Sequence, residues 1–202
     1  YEDKPLNIED LDTNPLEQFN VWFQIAIDAE VNEANAMAIS TISEEGTPRS
    51  RYVLFKDIVD NKLVFYSDYG SSKGREMENN PNISGLFFWP ELHRQIRLEG
   101  VVSKTSDEVS DNYFASRPRG AQLSAIASSQ STEIQGRETV EDRIKELEIE
   151  FEGKDIPRPD NWGGYAIDIS FWEFWQGRRS RTHDRFIYVK NDNSWEITRL
   201  SP

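Results

Sequence analysis

Residues 36–67 read "AMAISTISEEGTPRSRYVLFKDIVDNKLVFYS", and the fold turns on whether this stretch is helix or sheet. β-Branched and aromatic residues crowd "AMAISTI", "RSRYVLFKDI" and "KLVFYS", while "SEEGTP" and "VDN" carry the Gly, Pro, Asp and Asn of turns. Strands joined by such short turns predict an antiparallel sheet. The same language returns in "ISGLFFW" and "RQIRLEGVVSK", and again far downstream in "YAIDIS", "EFWQG", "RFIYVK" and "SWEITRL".

Helical text separates these runs. In "NPLEQFNVWFQIAIDAE", Asn14 is a cap, Pro15 takes the first helical position and Glu17 stands where a capping-box acid belongs. Leu16, Phe19, Phe23 and Ala26 then form one apolar face. "SKGREMENNP" is a short helix stopped by Asn80 and Pro81, and "SDEVSDNYFASRP" a helix capped by Ser106 with Pro118 past its end. "GRETVEDRIKELEIEFEG" carries Val140, Ile144, Leu147 and Phe151 as a stripe and ends at Gly153. Strands lie on both sides of the helical middle, residues 106–152, so distant parts of the chain must complete one sheet. The expectation is an α+β fold, mainly β, as a single domain over residues 1–202 with no boundary at 155–160.

Composition narrows the function. The 202 residues are 37% hydrophobic and 12% aromatic, enough for a sizeable core, with a formal charge of −13. No cysteine is present, which excludes disulfides and cysteine-based metal sites or nucleophiles. His93 and His183 are the only two histidines, so a histidine-rich metal site is excluded as well. There is no P-loop, dinucleotide fingerprint, His-Glu-x-x-His or Gly-x-Ser-x-Gly. No apolar run reaches membrane-spanning length, and the start has no leader pattern; a soluble, cytoplasmic protein is expected. The acidic field would repel nucleic acid and anionic membranes, yet it leaves room for a local anion pocket.

Cations and amides in the strand-rich text are the candidates. "QGRRSRTHDR", residues 176–185, sets four arginines and His183 against the acidic background. Arg51 and Lys56 flank "YVLF", five residues apart and hence on opposite faces of a regular strand. Lys73 lies in the first turns of a short helix, a natural phosphate site. Gln95 and Arg97 share a strand face, and Tyr113 and Arg117 share a helix face. Gln130 and Ser131 sit in the polar "SSQST", and Trp175 precedes the basic cluster. In an extended segment, 181, 183 and 185 share one face. Each residue alone has an ordinary reading as a solvated charge or a surface pair.

Taken in order, "SRYVLFK", "FYSDYGSSKG", "FFWPELHRQIRLEG", "YFASRPRGAQLSAIASSQS", "NWGGY", "EFWQGRRSRTHDRF" and "SWEITRLSP" resemble the pyridoxine/pyridoxamine 5′-phosphate oxidases from about Leu11 to Pro202. The resemblance implies an FMN-binding split β-barrel with flanking helices, as a homodimer with FMN at the subunit interface. By position it assigns Arg51, Tyr66, Ser67, Lys73, Gln95, Gln130, Ser131, Trp175 and Arg185 to FMN. Lys56, Tyr113, Arg117, Arg181 and His183 fall to the phosphorylated substrate, Arg181 and His183 at the reacting end; no metal is implied. The implied reaction oxidises pyridoxine or pyridoxamine 5′-phosphate to pyridoxal 5′-phosphate. Oxygen is the acceptor, hydrogen peroxide is formed, and the amine releases ammonia. The family's basic arm has no counterpart ahead of Tyr1, so a missing N-terminal arm is expected. Ser72 stands where the family has Arg and Ala121 where it has Ser, leaving Arg75 and Arg119 as candidate replacements; "LSAIAS" also differs from "IGAWAS". The rival readings are a phenazine-type FMN oxidase on the same barrel and a non-catalytic flavin- or pyridoxal-phosphate-binding protein.

Overall fold

Strands from both sides of the helical middle meet in one antiparallel sheet. The computed structural model describes residues 5–192 and 194–202. Among them the strands are β1 (Ala36–Ile42), β2 (Pro48–Leu54), β3 (Asp57–Val59), β4 (Lys62–Asp68), β5 (Asn82–Trp89), β6 (Arg94–Lys104), β7 (Trp162–Gln176), β8 (Asp184–Asn191) and β9 (Ser194–Leu200). The helices are α1 (Pro15–Asp28), α2 (Ser72–Asn79), α3 (Asp107–Ser116), α4 (Arg119–Ala127) and α5 (Glu138–Glu150). The expected mainly-β α+β architecture is the one observed. No helix among the described residues is long and apolar enough to cross a membrane.

The sheet runs β2-β1-β5-β6-β7-β4-β3, and β7 is its spine. The first half of β7 pairs with β4, the second half with β8, and β6 runs along its other edge. The sheet curls until Lys56 N–H, just past β2, donates to the Val64 carbonyl of β4 at 2.9 Å. That makes an open half-barrel. The reading of "YAIDIS" and "EFWQG" as separate strands is corrected: both belong to the 15-residue β7. A bulge explains the apparent break, because Glu99 faces Phe171 while Gly100 faces Ile169. Gly100 is required there, since a Cβ would overlap the Asp168 carbonyl.

α1 plugs the concave face. Asn14 accepts the Leu16 N–H at 2.9 Å, as its capping role requires, but Asn14 N–H donates to Asp12 rather than to Glu17, so the capping box is not formed. Phe19 packs on Phe87 and Trp172 with ring centroids 5.2 and 5.6 Å apart, and Trp22 meets Phe174 edge-on at 5.3 Å. Each such fully buried ring contributes roughly 1.5–3 kcal/mol of transfer free energy. A second apolar cluster, Phe114, Leu123, Leu147, Ile156 and Trp162, sits beneath α3, α4 and α5. α4 has no counterpart in the sequence reading: Pro118 caps it without a side-chain hydrogen bond, and of its apolar residues only Leu123 is fully buried.

The convex face is different. Opposed residues share a sheet face, and Phe88, Gln95, Trp175 and Arg185 form one row across β5, β6, β7 and β8. Phe88 is 56% exposed and Tyr52, on the same face, 74%.

Candidate active site

One cavity of about 650 Å³ opens between the β4 end of the sheet and helices α3 and α4. Lys56, Tyr66, Ser67, Tyr113, Arg117 and Gln130 all line it, so residues 74 positions apart in sequence converge there. Lys56 lines the cavity together with Leu54, two residues before it on the same side of the chain, while Arg51 lies on the other side with the buried Val53 and Phe55, as strand alternation requires. Tyr113 stacks on Tyr66 with centroids 3.7 Å apart and planes 9° from parallel. Burial, followed by Asp57 and Tyr113, pushes the Tyr66 hydroxyl up to about 12, so it stays a neutral donor. Arg117 Nη1 is buried without a hydrogen-bond partner. Burial lowers the Arg117 pKa from its ordinary value, yet a guanidinium remains charged. A partly desolvated guanidinium without a carboxylate partner among the described residues favours an anionic ligand.

Beside the cavity, α2 presents a second set. Ser71 caps the helix by accepting from Gly74 N–H, and the nearly buried Lys73 Nζ donates to Gln130 Oε1 at 2.5 Å and to Ser71 Oγ at 3.2 Å. Ser67 Oγ also donates to Gln130 Oε1, at 3.1 Å. Burial and then the Arg51 charge lower the Lys73 ammonium from its ordinary value. Arg51 is held by Glu76, Nη2 to Oε2 at 2.8 Å, and Thr41 lies within hydrogen-bond reach of both. Burial alone would raise Glu76, but hydrogen bonds from Thr41 and Arg51 hold it below the usual carboxylate range. Ser131 occupies the exposed loop with a φ of 67°.

The remaining expected residues lie elsewhere. Gln95, Trp175 and Arg185 stand in the convex row, and none of them lines the cavity. Arg185 Nε donates to the buried Glu173 at 2.7 Å, and Glu173 also pairs with Arg97 at 3.3 Å. His183 packs on Trp175 with centroids 4.6 Å apart. Its Nδ1 accepts the Arg178 N–H at 3.1 Å, so a neutral His183 carries its proton on Nε2. The expectation that 181, 183 and 185 share one strand face is corrected. Residues 179–181 form a 3-10 turn, β8 starts only at Asp184, and Ser180 and Arg181 take φ values of 56° and 60°. Strained backbone of this kind is stored at functional loops.

Sequence reasoning did not single out Glu76, Glu173, Arg158 or Trp162 as site residues. The two glutamates acquire meaning only once pairing brings arginines to them, and no spacing signals that. Arg75 and Arg119, the candidate replacements for the cation absent at Ser72 and the hydroxyl absent at Ala121, both engage backbone carbonyls. Arg75 donates to the Gly70 carbonyl, and Arg119 donates to the carbonyls of Lys154 and Phe151, closing the end of α5.

Comparison with known proteins identifies the family and the fold. Residues 23–150 match the family described as pyridoxamine 5′-phosphate oxidase, and residues 162–202 the pyridoxine 5′-phosphate oxidase C-terminal dimerisation region. A Cyanothece protein named pyridoxine/pyridoxamine 5′-phosphate oxidase is 46% identical over the whole chain and 95% of its own length. A protein of that name from Burkholderia mallei is 48% identical with the same coverage. Among solved structures, PhzG from Burkholderia lata 383, in complex with tetrahydrophenazine-1-carboxylic acid, superposes with a TM-score of 0.92 at 30% identity over 99% of both chains. An FMN-binding protein from Nostoc punctiforme, 16% identical with a TM-score of 0.73 over 92% of this chain and 96% of its own, shares the fold.

Proposed function

The chain belongs to the pyridoxamine 5′-phosphate oxidase family, and from that premise we propose that it is an FMN-dependent oxidase of pyridoxine 5′-phosphate or pyridoxamine 5′-phosphate. The alcohol and oxygen give pyridoxal 5′-phosphate and hydrogen peroxide. The amine also consumes water and releases ammonia. The observation that carries this reading is Arg117, a partly buried guanidinium that no carboxylate neutralises among the described residues, lining one cavity with Lys56 and Tyr113. Two cations and a neutral phenol answer to a phosphate monoester. A substrate lacking phosphate would leave that guanidinium unpaired, at a cost.

The donor set also fits a flavin mononucleotide. Lys73 at the start of α2, with Arg51, Ser67, Gln130 and Ser131 nearby, offers the cations and small donors that its phosphate needs. Tyr66 supplies a neutral donor, and Gln95, Trp175 and Arg185 an amide, an aromatic edge and a guanidinium. Bound FMN would supply the two-electron acceptor and the route to oxygen.

These groups act together only if a second copy is present. Tyr66 pairs with Gly164 at one end of β7, and Trp175 lies 11 residues further along that strand. At about 3.3 Å per residue, that is up to roughly 35 Å, too far for one small ligand to bridge within a chain. We therefore assign the site to a homodimer, as one domain per chain in the cytoplasm. Lys56, Tyr113 and Arg117 of one protomer bind the phosphate, and Arg181 and His183 of its partner cover the reacting end. His183 acts there as a donor through Nε2. The exposed Tyr52 and Phe88, continuous with the Gln95–Trp175–Arg185 row, supply apolar surface for such docking.

Purified protein loaded with FMN should consume oxygen with either phosphorylated vitamer and form pyridoxal 5′-phosphate, and should ignore unphosphorylated pyridoxine at equal concentration. Equal rates on both would remove the phosphate from the reading, and failure to bind FMN would remove the oxidase.

A further inference from the structure

We propose that Trp162 is a positioning residue, the aromatic support that holds the Arg117 guanidinium toward the cavity without neutralising it; this rests on the phosphate reading of that cavity. The contrast with four arginines that carboxylates hold carries the point. Arg51 is held by Glu76 at 2.8 Å, Arg185 by Glu173 at 2.7 Å, Arg199 by Asp184 at 2.6 Å and Arg158 by Asp111 at 2.6 Å. Among the described residues no carboxylate pairs with Arg117. Its guanidinium carbon lies 4.5 Å from the Trp162 ring centroid and 5.8 Å from that of Phe114. A carboxylate in that place would compete with an incoming phosphate, whereas a ring face attracts the cation and leaves its outward N–H groups unspent.

Trp162 is itself fixed. Arg158 Nη1 donates to the Trp162 carbonyl at 2.8 Å, while its Nε and Nη2 reach Asp111 and Asp107 on α3 at 2.6 and 2.8 Å. One side chain thus ties the first residue of β7 to the helix that delivers Tyr113 and precedes Arg117. Gly163 allows this approach, because a Cβ there would overlap Tyr69 Oη and crowd Ser110 Oγ. The Trp162 ring also runs nearly parallel to Tyr66 and Tyr113, 11° and 7° from their planes at 5.6 and 6.3 Å. The ring is itself only 7% exposed, and Tyr66 is held more closely by Tyr113, at 3.7 Å.

The test uses FMN-loaded full-length protein carrying Trp162→Leu or Trp162→Phe, with oxygen consumption, FMN affinity by flavin fluorescence, and binding of inorganic phosphate by calorimetry. Trp162→Leu should raise the KM for pyridoxine 5′-phosphate and weaken phosphate binding roughly five- to thirty-fold, from the strength of a desolvated cation–π contact. FMN affinity and kcat should change several-fold less than KM and phosphate binding, and Trp162→Phe should recover most of the loss. The Phe variant keeps the apolar bulk, so it decides the matter even if the Leu variant does not fold: its smaller KM rise should vanish in an Arg117→Gln background. Wild-type KM and phosphate binding in the Leu variant would overturn the proposal, as would parallel loss of kcat, FMN and KM in the Phe variant. Wild-type protein that binds phosphate but oxidises neither vitamer would instead overturn the oxidase reading and leave Trp162 in place.

Discussion

Arg117→Ala should raise the KM for pyridoxine 5′-phosphate roughly a hundredfold or more while FMN stays bound. The magnitude follows from geometry: a guanidinium fork gives a phosphate two charge-assisted hydrogen bonds, each worth about 1.5–3 kcal/mol. Among the described residues Arg117 has no ion pair to fall back on, and its Nη1 is already desolvated, so its interaction with the ligand is not offset by a broken salt bridge there. The phosphate lies remote from the reacting carbon, so kcat should fall by less than about tenfold as the ring is held less well. Arg117→Lys should restore only part of the affinity, because an ammonium keeps the charge without the fork. Steady-state oxygen uptake together with flavin absorbance separates the effects. Flavin lost in step with KM would place Arg117 on the cofactor.

Arg185→Ala should act the other way, weakening FMN binding at least about tenfold and changing the substrate KM at saturating flavin less than about threefold. One charged hydrogen bond to the cofactor accounts for about 1.5–3 kcal/mol. The variant also leaves the 3% exposed Glu173 with Arg97 as its remaining partner, and an under-compensated carboxylate beside an anionic cofactor deepens the loss. Ultrafiltration of loaded protein, read by flavin absorbance, checks this. Retention equal to wild type would remove Arg185 from the cofactor set.

Much of the fold was legible because its signals are local. β1, β6 and β9 begin and end where the alternating runs do, and Asn14, Ser106 and the Asn80–Pro81 stop mark helix ends through their own backbone chemistry. α4 and the continuity of β7 were not legible: one lacks a capping hydrogen bond, and the other hides its length behind a bulge fixed only by pairing with Gly100. The candidate site divides similarly. Types such as Arg, Lys and Tyr flag themselves, but the acids that hold Arg51 and Arg185, and the ring beneath Arg117, lie 25, 12 and 45 positions away in sequence. Spacing within one element cannot report contacts made by the sheet's curl. The turn at residues 179–181 shows the same limit, because left-handed Ser180 and Arg181 are not types that announce a positive φ.

The division of the site between two protomers is tested most directly by mixing. Arg117→Ala removes a cavity residue and Arg185→Ala a residue of the β7–β8 row, so each homodimer should be nearly inactive at low substrate and limiting flavin. After subunit exchange, half of the dimers are mixed, and each mixed dimer carries one site with both halves intact. Activity should therefore rise to about a quarter of the wild-type value, as random pairing in a twofold dimer requires. A mixture that exchanges subunits yet stays as inactive as its parents would show that both groups serve a site within one chain.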